Sequence, residues 1–197
     1  MPNTRRWDDD PFTRRARREN YPARSVYKLQ EIQKRAAVLR KGDRVLDLGC
    51  APGSWLLFAA EVTGPAGRVV GVDLTPVTVA LPAHVTVITG DVLVLAENPA
   101  GLPGGPFDAV LSDMAPATTG SRGVDAARSY HLCEAALDLA RQVLKPGGAF
   151  VCKIFQGEDF RGFVDAVKAE FAEHRIFKPQ SSRKASSEIY LIGKGKK

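Results

Sequence analysis

The sequence lacks several features that would have placed it at once. Its three cysteines, Cys50, Cys133 and Cys152, are an odd number, widely spaced and without a C-x-x-C pair, which argues against a disulfide framework and against zinc. His84, His131 and His174 are equally scattered, so no metal is expected. No apolar run is long enough to span a bilayer. The N-terminus has no apolar signal core, and Asp8-Asp9-Asp10 is unlike an acid-poor transit peptide, so a cytoplasmic location is expected. Repeats, low-complexity blocks and a second-domain linker are also missing. A length of 197 residues then suits one domain with a sizeable core.

The charge is unevenly distributed. Residues 1–41 hold twelve Lys/Arg against five Asp/Glu, whereas the rest is nearly balanced, although the whole chain carries +6. An acidic partner is expected at the N-terminal segment, a nucleic-acid backbone above all, with Lys194, Lys196 and Lys197 as a minor addition. Residues 1–22 read as a basic arm, extended or partly ordered, with Trp7, Phe12 and Tyr21 interleaved among arginines. Those aromatics could stack on bases or simply pin the arm to the body. Residues 23–197 form the single folded domain. Its first element is an amphipathic helix over Ala23–Arg40, with Val26, Leu29, Ile32, Ala36 and Leu39 on one face and Lys28 among the basic residues of the other.

From Arg44 onward, strand-like and helix-like runs alternate, which predicts a mostly parallel sheet with helices on both faces. The strands predicted are Arg44–Leu48, Arg68–Val72, Val85–Thr89, Phe107–Ser112, Ala149–Phe155, Arg175–Lys178 and Glu188–Ile192. Helices are predicted over Ser54–Val62, Ala126–Leu144 and Phe160–Phe171, with a short one near Val92–Ala96.

The stretch Asp47-Leu48-Gly49-Cys50-Ala51-Pro52-Gly53-Ser54-Trp55 reads as a strand end, a tight glycine turn and a helix start. It lacks the Gly-Lys-Ser/Thr of a P-loop and the third glycine of a dinucleotide fingerprint. A carboxylate beside the turn would repel a pyrophosphate, so a cationic or hydroxyl-bearing ligand fits better. Ligands of such sheets bind at the carboxyl ends of the strands, and four of those ends carry an acid: Asp47, Asp73, Asp91 and Asp113. Asp73 is placed to accept hydrogen bonds from ribose hydroxyls, and Asp91 from an adenine amino group.

These residues resemble the class I S-adenosylmethionine-dependent methyltransferases, and within them the FtsJ-like RNA ribose 2′-O-methyltransferases. The resemblance extends through Ser25-Val26-Tyr27-Lys28-Leu29, Ser112-Asp113-Met114-Ala115-Pro116, Lys145-Pro146-Gly147-Gly148, Cys152-Lys153-Ile154-Phe155-Gln156-Gly157 and Ser186-Ser187-Glu188-Ile189-Tyr190. It implies an α/β, Rossmann-like fold whose seven-stranded sheet is mostly parallel with the last strand antiparallel. It implies a Lys-Asp-Lys-Glu tetrad on Lys28, Asp113, Lys153 and Glu188, and S-adenosyl-L-methionine contacts from Gly53, Trp55, Asp73, Asp91 and Asp113.

In the chemistry so implied, Lys153 is the general base for a ribose 2′-hydroxyl, its pKa expected to fall through burial and the nearby charge of Lys28. Lys28 and Glu188 orient and tune it, and Asp113 bridges cofactor and base. The polar loop Met114–Ser129 is expected to flank the RNA. The substrate implied is a uridine of 23S-type large-subunit rRNA within the assembled subunit, methylated by a monomer. Methylation of tRNA or of a cap ribose is the alternative enzyme, and an RNA-binding ribosome assembly factor without turnover is the alternative of another class.

Overall fold

The computed structural model describes residues 10–183 and 185–197; Trp7 and the acids Asp8 and Asp9 lie outside them. Seven strands form one sheet: β1 (Arg44–Leu48), β2 (Arg68–Asp73), β3 (Val85–Thr89), β4 (Phe107–Ser112), β5 (Leu144–Phe155), β6 (Phe171–Phe177) and β7 (Glu188–Lys196). Their spatial order is β3-β2-β1-β4-β5-β7-β6. The first five pair in parallel, while β7 runs antiparallel to both β5 and β6. The antiparallel last strand of a seven-stranded sheet is therefore present as expected. Helices α1 (Pro11–Arg18), α2 (Val26–Ala36), α3 (Ser54–Thr63), α4 (Val92–Glu97), α5 (Arg122–Val143) and α6 (Phe160–Glu170) complete the fold. Among the described residues no helix is long and apolar enough to cross a membrane.

Side chains along a strand alternate between the two faces, so both faces of the central strands must be apolar if helices cover both. On one face Leu46, Val70, Val110, Phe150 and Leu191 pack with Cys133, Ala136 and Leu137 of α5 and with Phe163 of α6. On the other, Val45, Val69, Leu111, Val151 and Ile192 pack with Leu29 and Ile32 of α2 and with Trp55, Leu56 and Ala59 of α3. This alternation decides the site. Continuing Ala149 and Val151 by two residues brings Lys153 onto the α2 face, and Tyr190, paired in register with Lys153, joins it there with Glu188 two residues earlier.

Several boundaries differ from those predicted: α5 begins at Arg122 rather than Ala126, β5 at Leu144 rather than Ala149, and β7 runs to Lys196 rather than Ile192. Helix α2 ends at Ala36 rather than Arg40, because Ala37 turns left-handed with φ 48° and Gln33 folds over to bond both the amide and the carbonyl of Leu39. Lys194 Nζ then donates to the Ala36 carbonyl at 2.8 Å, a cation on the negative end of the helix. Strand β6 begins at Phe171, where a helix end was predicted, because β7 runs on to Lys196 and pairs with it. Gly193 of β7 makes that packing possible, since a Cβ there would lie 2.6 Å from the Phe171 ring. Within the described part of the arm, Pro11–Arg18 is helical: Asp10 accepts from Thr13 N at 3.1 Å as N-cap, and Pro11 sits where its missing N–H costs nothing. Ala16 is buried, Phe12 packs 5.6 Å from the Tyr27 ring, and Tyr21 donates to Glu61, so this helix lies on the body.

Candidate active site

The glycine turn after β1 is built as its residues dictate. Gly49 has φ +75°, and a Cβ on it would collide with Met114 Cγ at 2.6 Å; Gly53, at φ +110°, opens α3 against Val79. Ala51 N donates to Asp73 Oδ2 at 2.9 Å, tying the turn to the end of β2. Above it opens a cavity of about 550 Å³ lined by Gly49, Ala51, Asp73, Asp91, Asp113 and Met114, among others. This volume suits a nucleoside-sized ligand. Asp73 and Asp91 each also serve the backbone, accepting from Thr75 N and Leu93 N at 2.7 and 2.9 Å. Each therefore closes its own turn while facing the cavity.

Two of the residues the resemblance assigned to the cofactor stand elsewhere. Gly53 is not among the residues lining this cavity, although Pro52 before it is. Trp55 is buried at 3 % exposure, its indole donating to the Ser25 carbonyl at 2.9 Å and its ring 6.0 Å from that of Tyr190. The structure thus gives Trp55 a bracing position: it joins α3 to the residue from which α2, and with it Lys28, departs.

Asp47 differs from the other strand-end acids. It lies one residue inside β1, paired with Gly71 and Leu111, fully buried, and neither of its carboxylate oxygens has a partner among the described residues. Burial, with Asp113 and Asp73 adding repulsion, pushes its carboxyl well above the usual range. Three carboxylates converging on one turn, one of them without a partner, suit a cationic ligand and oppose an anionic one. In linkage terms, an acid whose folded pKa is raised costs stability as pH climbs from its unfolded value, about 4, toward the folded one. Asp47→Asn removes that cost. The ligand-free variant should gain thermal stability over wild type by a margin that widens as pH rises above 4, followed by melting curves over a pH series. A constant margin would contradict the assignment.

The tetrad is brought together from four distant places in the chain as two ion pairs. Lys153 Nζ is 3.0 Å from Asp113 Oδ1 and donates to the Asp113 carbonyl at 2.5 Å; Lys28 Nζ is 2.8 Å from Glu188 Oε2. The Lys153 and Lys28 side chains are only 7 % and 12 % exposed, so these are not solvated surface lysines. Tyr190 joins the pairs. Its hydroxyl donates to Asp113 Oδ1 at 2.6 Å and the ammonium of Lys28 lies 6.0 Å from its ring centroid. Burial alone would raise the Asp113 carboxyl, but the charges of Lys153 and Lys28 and the Tyr190 bond outweigh it and hold it below the usual range. Tyr190 is driven the other way, its hydroxyl held protonated by burial and by Asp113. Sequence reasoning passed over Tyr190, although a tyrosine two residues after Glu188 in a strand must share its face.

A second cavity, of about 470 Å³, adjoins Lys28 and Glu188 and is lined also by Arg24, Ser25, Ser181, Arg183 and Ser186. Its walls are held in place by charged contacts. Arg24 joins Asp10 to the Ser181 carbonyl, and Glu31 accepts from the amides of Gln180 and Ser181 at 2.6 and 2.9 Å. The turn between β6 and β7 is thereby fixed to α2. On the far side, the loop after Asp113 places Met114 and Ala115 in the first cavity and is anchored by Asp125, which accepts from the amide and hydroxyl of Thr119 at 2.7 and 2.9 Å. Asp113 lines the first cavity and Lys28 and Glu188 the second, and Tyr190, bonded to Asp113 and beside the Lys28 ammonium, links them.

Known proteins place the chain. The family model described as FtsJ-like methyltransferase matches residues 21–196. The chain is 59 % identical over 196 residues to ribosomal RNA large subunit methyltransferase E of Desulforapulum autotrophicum, covering 100 % of this chain and 96 % of that one. It is 55 % identical over 196 residues to the protein of the same name from Desulfosudis oleivorans, covering 100 % and 95 %. Among solved structures it is similar to a putative ribosomal RNA methyltransferase from Plasmodium falciparum, with a TM-score of 0.76 and 26 % identity, covering 89 % of this chain and 98 % of that one.

Proposed function

The chain belongs to the FtsJ-like methyltransferase family, and we propose that it methylates the 2′-hydroxyl of a ribose in large-subunit ribosomal RNA, using S-adenosylmethionine. The observation that carries this reading is that the two ion pairs, linked through Tyr190, each contribute to one of two unlike cavities. One cavity is ringed by carboxylates and suits a cationic nucleoside; the other is lined by Arg24, Lys28, Arg183 and serines and suits a sugar-phosphate. When bound, S-adenosylmethionine supplies an electrophilic methyl group on a sulfonium.

In this reading Asp73, Asp91 and Asp113 hold the donor nucleoside, with Asp47 enclosed beneath them as a carboxyl that a bound cation would help to ionise. A ribose hydroxyl is a weak nucleophile until its proton leaves. Lys153 acts as the neutral amine, its own proton first released to solvent; it takes the hydroxyl proton and becomes the ammonium that Asp113 holds through its carboxylate and its carbonyl. Lys28 and Glu188 orient the acceptor at the edge of the second cavity, and Tyr190 fixes Asp113 from the opposite side. The substrate class is supported by relatives that carry the name of large-subunit enzymes along their whole length.

The test is methyl transfer from labelled S-adenosylmethionine to intact large subunits, free large-subunit rRNA and tRNA in parallel. Label is expected on large-subunit rRNA, at one nucleotide whose 3′ bond becomes resistant to alkali. Binding without transfer to any of the three would overturn the enzymatic reading; transfer to tRNA alone would overturn the substrate.

A further inference from the structure

A third hollow, of about 560 Å³, lies between the C-terminal half of α2 and the sheet, lined by Arg35, Arg175, Ile176, Phe177 and Ile192. Arg35 comes from α2, Arg175 and Phe177 from β6, and Ile192, paired in register with Arg175, from β7. Unlike Arg24, which is committed to Asp10 and Ser181, neither Arg35 nor Arg175 has a hydrogen-bond or ion-pair partner among the described residues. Beside these two guanidiniums, on the same face of the sheet, Phe177 is half-buried and Ile192 closes the floor. Uncompensated guanidinium charge next to an apolar and aromatic wall is the composition of a single-stranded nucleic-acid groove: the cations take the backbone, and the flat or apolar surface takes a base.

The hollow and the acceptor cavity are bordered by the same two elements. Helix α2 walls both, since Lys28 faces the one and Arg35 the other. Seven residues apart, they lie on nearly the same side of the helix and about 10 Å apart along its axis. The acid between them, Glu31, would repel a passing phosphate if it were free. Instead its two oxygens are held by the amides of Gln180 and Ser181, turned toward the β6–β7 connection. The same connection supplies Phe177 at one end and Ser181, Arg183 and Ser186 at the other, so one turn borders both openings.

We propose that this hollow binds the stretch of RNA next to the methylated nucleotide, with Arg35 and Arg175 on its phosphates and Phe177 against a base. The proposal rests on the reading of the acceptor cavity as an RNA site. It makes substrate affinity depend on residues that touch neither the methyl donor nor the reacting ribose.

The experiment compares wild type, Arg35→Ala/Arg175→Ala and Arg35→Lys/Arg175→Lys. Binding of a fluorescently labelled large-subunit rRNA fragment is measured over a salt series, beside methyl transfer to that fragment and to intact subunits. The double alanine variant is expected to bind the fragment about tenfold more weakly, with a salt slope shallower by about 1 for each arginine removed. Its kcat at saturating RNA and its affinity for S-adenosylmethionine should stay within about twofold of wild type, and the lysine variant should recover most of the salt slope. Unchanged affinity and slope in the alanine variant would overturn the proposal. So would weaker binding to intact subunits with unchanged binding to the free fragment, which would assign the hollow to a ribosomal protein. Binding is read without turnover, so a wild type that binds RNA and transfers no methyl group refutes the enzymatic reading while this inference is still decided by the variants.

Discussion

Lys153→Ala is expected to lower methyl transfer by about a thousandfold, within the range that removal of a general base commonly costs, and to leave affinity for S-adenosylmethionine within about twofold. The separation follows from the geometry. Lys153 is absent from the wall of the first cavity, whereas its partner Asp113 lines it, so truncating the lysine withdraws the base without removing a wall of the donor site. Two other roles predict different outcomes. If the lysine acted only as a positive charge that orients Asp113, Lys153→Arg would keep most of the rate, because the guanidinium still pairs with a carboxylate. As a base it should fail, since a guanidinium does not give up its proton near neutral pH. If its role were structural, the alanine variant would lose cofactor binding along with turnover. Residual transfer above a tenth of wild type in Lys153→Ala would refute the assignment of the base. The pair of variants therefore separates base, charge and scaffold by rate and affinity alone.

What could be read in the sequence divides along physical lines. Strands β1, β3 and β4 occupy the residues predicted, because each is a short apolar run whose ends are marked by glycine, proline or acid. The errors fall where a long-range contact overrides local pattern. Phe171 looked like the end of a helix, and becomes a strand because β7 reaches it and Gly193 leaves room for its ring. The arm showed no periodicity, yet Pro11–Arg18 is helical because Asp10 caps it and Ala16 and Phe12 find partners on the body.

Within the site, each residue type at a strand end was legible, but its direction was not. Asp47 was grouped with Asp73, Asp91 and Asp113; being one residue inside its strand, it is enclosed where the others face the cavity. The meeting of Lys28 with Glu188, 160 residues later, is beyond any periodicity argument and was reached only through resemblance to a family. Trp55 and Tyr190 show the remaining gap. Both belonged to recognised motifs, and only the fold shows that one braces the helix carrying Lys28 and the other ties Asp113 to the two lysines.

The second large effect is expected at Asp113, and its sign is opposite to that at Asp47. The two carboxylates belong to one site, yet one is held above the usual range by burial without a partner, and the other below it by two lysines and a tyrosine that outweigh burial. The proposed function divides the roles in the same way, with Asp113 as the anion that the lysines need and Asp47 as a carboxyl that a bound cation would help to ionise. Asp113→Asn leaves an ammonium at Lys153, buried at 6 % exposure, with only a carbonyl and an amide to face. Removing one member of a buried pair costs about 3 kcal/mol or more, because the remaining charge is left uncompensated. The variant should therefore melt well below wild type at neutral pH.

An acid with a depressed folded pKa contributes stability above its unfolded value, about 4, and loses it as pH falls through the folded one. The deficit of Asp113→Asn should accordingly shrink as pH is lowered from 5 toward 3, whereas the advantage of Asp47→Asn grows as pH is raised from 4. Transfer by Asp113→Asn should fall at least a hundredfold, since Lys153 loses its anchor, and affinity for S-adenosylmethionine should fall with it, since Asp113 also lines the donor cavity. Joint loss of rate and cofactor affinity here, against loss of rate alone at Lys153, is the signature of one residue serving both cavities. A variant that kept cofactor affinity, or whose stability deficit did not change with pH, would show that Asp113 does not couple donor and base.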